Sequence, residues 1–95
     1  MLTVPKSLKF VFFATCHSEA AGEIFHNAGI QHVICILKSS EILDEAAVYF
    51  SRNFYELLFK GKLSICDAFL KAKEMISHHH EESIRKEAYK FVILR

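Results

Sequence analysis

The stretch Lys6 to Leu37, KSLKFVFFATCHSEAAGEIFHNAGIQHVICIL, decides the fold. Lys6 to Ala14 is rich in β-forming residues and apolar on both faces, the pattern of a strand buried between helix layers and not of one wetted on one side. Thr15, Cys16, His17 and Ser18 break that run. From Ser18 onward Ala21, Ile24, Phe25 and Ala28 recur at helical spacing, with Glu19 and Glu23 near the helix start and Gly29 as its stop. Gln31 to Leu37 reads as a second buried strand. Strand, helix and strand make a βαβ unit with a right-handed crossover and parallel strands, so a ligand is expected at the carboxyl ends of those strands.

Beyond this unit the loop Lys38 to Leu43 leads to Asp44, a candidate N-cap. Ala47, Phe50, Phe54, Leu57 and Leu58 follow on one helical stripe that Gly61 ends. Ser64 and Asp67 stand in capping-box positions ahead of a second stripe of Ile65, Ala68, Phe69, Ala72 and Ile76. Ser77 to Lys86 is polar, and Ala88 to Leu94 reads as a third strand, antiparallel because two helices return the chain to the edge it left. The expectation is one α/β domain over residues 1–95, with two parallel strands, one antiparallel strand and three main helices. The first strand would then present a bare apolar edge, suited to self-association or to a partner's strand.

Composition narrows the function classes. The 95 residues are 52% hydrophobic and 24% charged with 3 Gly and 1 Pro, too apolar for a disordered chain. Twelve basic against eleven acidic side chains give a net charge of +1, which offers no electrostatic footprint for a phosphate backbone. Nucleic acid is therefore not an expected partner. The apolar runs fall far short of the roughly 20 residues that span a bilayer, and the start lacks a signal peptide's pattern, so no membrane partner is expected and a cytoplasmic location is. Cys16, Cys35 and Cys66 lack the close spacing of a zinc site and fit a reducing compartment. No metal and no cofactor are implied.

Cys16 is the residue best placed for chemistry. A thiol at the carboxyl end of a parallel strand, just before a helix, lies where the unpaired helix N–H groups favour thiolate, and a backbone N–H of the same turn could donate to an oxyanion. Cys35, mid-strand, and Cys66, inside a helix, read as small hydrophobes. The plain alternative for Cys16 is a buried strand-end thiol.

The segment from Phe10 to Ile76 resembles the carboxyl half of the caspase-like cysteine peptidases, in their CHAT branch. The resemblance rests on a hydrophobic strand ending in A-x-C-x-S at Ala14 to Ser18 and on GEIFHNAGIQHVI from Gly22 to Ile34. DEAA at Asp44 to Ala47 and FYELLFKGKLSICDAF from Phe54 to Phe69 extend it. It implies a partial caspase-like three-layer sandwich, a peptide or protein substrate, and Cys16 as the catalytic nucleophile. It also places substrate-binding walls in the loop that holds Glu41 and Asp44, whose carboxylates could face a basic side chain; on its own position Asp44 reads first as a helix N-cap. In the caspase signature the partner His lies about 50 residues before the Cys, whereas 15 residues precede Cys16 here, so the His-Gly segment and the first strands of the sheet have no counterpart.

None of the six histidines substitutes on sequence grounds. His17 adjoins Cys16 in a turn where neighbouring side chains diverge, His26 lies well down its helix, and His32 is at the amino end of its strand. His78, His79 and His80 read as a solvated helix end. Two readings follow: the carboxyl portion of a cysteine endopeptidase, inactive as the isolated chain, or a non-catalytic caspase-like module that binds a partner strand. A third, a flavodoxin-like binding module, lacks a glycine-rich phosphate loop.

Overall fold

The computed structural model describes residues 10–12, 16–38 and 40–95. The fold is α/β, and the chain divides into two units, Met1–Glu41 with Phe91–Arg95, and Ile42–Lys90.

The first unit carries β1 (Phe10–Phe12), α1 (Glu19–Asn27), β2 (His32–Ile36) and β3 (Phe91–Leu94). The sheet order is β1-β2-β3. β1 pairs with β2 in parallel, Phe10 opposite His32 and Phe12 opposite Ile34. β3 runs antiparallel on the other side of β2, from Val33 opposite Leu94 to Ile36 opposite Phe91. As the middle strand, β2 has Val33, Ile34, Cys35 and Ile36 fully buried, which explains why its sequence is a continuous apolar run and not an alternation. The remainder of the expected first strand, residues 6–9 and 13–14, lies outside the described residues.

Helix α1 sits close on β2 because it presents Gly22 there: a Cβ at that position would stand 3.0 Å from Cys35 Sγ and 3.1 Å from Val33 Cγ1. Gly29 has φ +112, a conformation that only glycine adopts without strain, and it closes the helix as its position in the sequence predicts.

The second unit holds α2 (Asp44–Phe59), α3 (Ile65–Ser77), a short α4 (Glu82–Arg85) and a 3-10 turn at Ala88–Lys90. Its core is the predicted aromatic stripe. Phe50 and Phe54 stack at 6.2 Å and Phe50 meets Phe69 edge to face at 5.7 Å, all three buried, with Ala46, Ala68 and Ala72 letting the two helices approach. Ser64 caps α3 by accepting from the Asp67 N–H at 3.2 Å, as the capping-box spacing predicts.

Three boundaries differ from the sequence expectation. The N-cap of α2 is Leu43, and Asp44 is the first helical residue: the Leu43 N–H donates to Glu87 Oε1 at 2.8 Å, which fixes Leu43 in extended conformation ahead of the helix. Asp44 therefore meets the helix dipole, and does not cap. The polar stretch after α3 contains α4, a fourth helix. The third strand starts at Phe91 and not at Ala88, because a 3-10 turn comes first: Lys90 donates its N–H to the Glu87 carbonyl at 3.1 Å, and the Lys90 ammonium pairs with Glu87 Oε2. Among the described residues no helix is long and apolar enough to cross a membrane.

Candidate functional site

The turn at residues 16–18 delivers Cys16 to the carboxyl side of β1, ahead of α1. Cys16 is exposed, so it is not the buried strand-end thiol of the plain reading. Helix α1 begins at Glu19, so the thiol stands one turn before the helix and not directly against its first residue.

Hydrogen bonds to the end of β2 hold this turn. Ser18, only 4% exposed, does not use its hydroxyl to cap α1; the oxygen accepts from the Ile36 N–H at 2.8 Å. Glu19 Oε1 accepts from the Lys38 N–H at 2.9 Å. His17 has φ +58, the left-handed region that costs a non-glycine residue of order 1 kcal/mol. Two bonds offset that cost: its N–H donates to Ser40 O at 3.1 Å and its ring Nδ1 donates to Lys38 O at 2.9 Å. The carbonyl only accepts, so the proton is on Nδ1. Nε2 lies 4.0 Å from Glu41 Oε1, on an exposed face. The His17 N–H is thus engaged within the fold.

The other thiols differ in kind. Burial, with the carboxylates of Glu19 and Glu23 adding to it, pushes Cys35 up to about 11, so it is a protonated core thiol at neutral pH. Cys66 is half-buried in the first turn of α3. Exposure and a tethered turn single out Cys16.

Of the predicted substrate-facing pair, Glu41 belongs to the first unit and stands beside His17. Asp44 belongs to the second unit, in the wall of a pocket that also includes Tyr49, Arg52 and His79. His26 lies in the last turn of α1 and His32 begins β2, both half-buried. The histidine run is not uniformly solvated. His78 and His80 are exposed, whereas His79 is half-buried and packs edge to face on Tyr49 at 4.7 Å. Among the described residues no cluster of three or more metal-ligating side chains occurs. Sequence reasoning missed Ser18 and His17 as the tethers of the turn; the only signal was their position between strand and helix.

Comparison with family models, with curated proteins and with solved structures finds no match for this chain.

Proposed function

We propose that this chain is the carboxyl portion of a caspase-like cysteine endopeptidase domain, with Cys16 as its nucleophile. The observation that supports this most is an exposed thiol on a turn at the carboxyl side of a parallel strand pair, held by side-chain and backbone bonds to the neighbouring strand. In this reading the thiolate attacks a peptide carbonyl carbon and forms a C–S bond. A His supplied by a segment preceding this chain takes the thiol proton and returns it to the leaving amine as the C–N bond breaks. Water then hydrolyses the acyl-enzyme and regenerates the thiol. In this reading the Glu41 carboxylate, 4.0 Å from His17 Nε2, faces a basic side chain of the substrate.

The test joins this chain to its upstream coding segment and exposes it to peptidyl acyloxymethyl ketones bearing Arg, Asp or Leu at the position next to the warhead. The reading predicts an adduct on Cys16, abolished by Cys16→Ala and by replacement of the upstream His. An adduct-free protein that instead binds a partner strand would overturn it in favour of the interaction module.

A further inference from the structure

The second unit contains a pocket of about 370 Å³, within the range of small-ligand sites. Its inner lining is aromatic and aliphatic: Tyr49 and His79, both half-buried with ring centroids 4.7 Å apart and nearly perpendicular, and Ile84, 2% exposed. Its exposed lining is acidic, with Asp44 and Glu45 from the first turn of α2 and Glu81 ahead of α4. Arg52 is the one permanent cation of that lining, so carboxylates exceed it by two.

The wall is preformed. Arg85 Nη1 donates to the His79 and His80 carbonyls at 2.8 and 3.1 Å, which ties the segment between α3 and α4 to α4 itself. The Glu81 N–H donates to His79 Nδ1 at 3.0 Å and sets the ring's orientation against Tyr49. An occupant therefore meets a pocket whose ordering is already complete.

We infer that this pocket binds an organic cation, an alkylammonium or guanidinium group of the kind that ends a lysine or arginine side chain. A ring face attracts such a charge and an apolar inner wall accepts the methylenes or methyls that carry it. The excess of carboxylate around the opening complements its sign. A bare metal ion is a poorer fit, since hard cations require several converging oxygens and no such cluster occurs among the described residues. The inference concerns the second unit alone and stands independently of Cys16.

The test is an amide-resolved NMR titration of the full ¹⁵N-labelled chain with Nα-acetyl-lysine methylamide, its Nε-trimethyl form, and Nα-acetyl-norleucine methylamide as the uncharged counterpart. Shifts are expected at Tyr49, His79 and Glu81 with both cations, and the norleucine compound should bind at least about five-fold more weakly. Glu45→Gln and Glu81→Gln, both exposed and compatible with folding, should each weaken the cations about two- to five-fold and leave norleucine unchanged. Equal binding of norleucine, shifts confined to other regions, or no shift at tens of millimolar would overturn the inference.

Discussion

Replacing Ser18 by Ala removes the acceptor that the buried Ile36 N–H uses, a bond of 2.8 Å between the turn beside Cys16 and the end of β2. Leaving a buried backbone donor unsatisfied costs about 1–3 kcal/mol. For a chain of this size, 1 kcal/mol lowers the unfolding midpoint by about 4–8 °C, so a loss near 2 kcal/mol corresponds to roughly 8–16 °C. Ser18 also occupies the N-cap position of α1, and a capping role would give a similar loss by itself. Two measurements separate the causes. Glycine is nearly as good an N-cap as serine, so Ser18→Gly would recover most of the stability if capping were the reason. The hydroxyl caps nothing here, so Ser18→Gly should be no more stable than Ser18→Ala. Hydrogen exchange adds a local readout: the Ile36 amide should lose protection in both variants. Urea unfolding within about 0.5 kcal/mol of the parent, with Ile36 still protected, would refute the reasoning, as would recovery in the glycine variant.

Two further outcomes follow from buried ionisable groups. Cys35 is raised to about 11 in the fold, so its contribution to stability is complete below the unfolded thiol's ordinary value and is lost as pH climbs toward 11. The loss is roughly 2–3 kcal/mol. Urea midpoints measured from pH 8 to 11 should fall, and Cys35→Ala should flatten that alkaline decline. Glu87, 5% exposed, accepts from the Leu43 N–H and pairs with Lys90, so Glu87→Ala should cost about 1.5–3 kcal/mol in the same assay. Glu87→Gln, which keeps an acceptor for Leu43, should recover part of it.

Local signals made some of this structure legible. The continuous run around Cys35 announces a strand buried on both faces, Ser64 and Asp67 announce the start of α3, and the spacing of Phe50, Phe54 and Phe69 announces the packed stripes. What escaped reading depends on partners far away in the chain. The N-cap of α2 shifts from Asp44 to Leu43 because of a carboxylate 44 residues on. Helix α4 is four residues long, too short to show a period. At the candidate site the thiol's position is visible in the sequence, but the tethers are not: Ser18 reads as a cap, and only the fold directs its hydroxyl to a strand 18 residues later. His79 likewise sits in a polar run whose composition suggests solvent, and Tyr49, contributed by another helix, half-buries it.

The claim that Cys16 is held in a reactive setting is tested most directly by its alkylation rate. Iodoacetamide labelling at pH 7.5, resolved by peptide mass spectrometry, would be compared between the folded chain joined to its upstream coding segment and the same protein unfolded in urea. A thiol activated by its surroundings reacts faster in the fold than out of it, and several-fold acceleration at Cys16, with Cys35 suppressed, is the expected result. Equal or slower labelling of Cys16 in the folded chain would show a thiol that is merely accessible and would contradict the account.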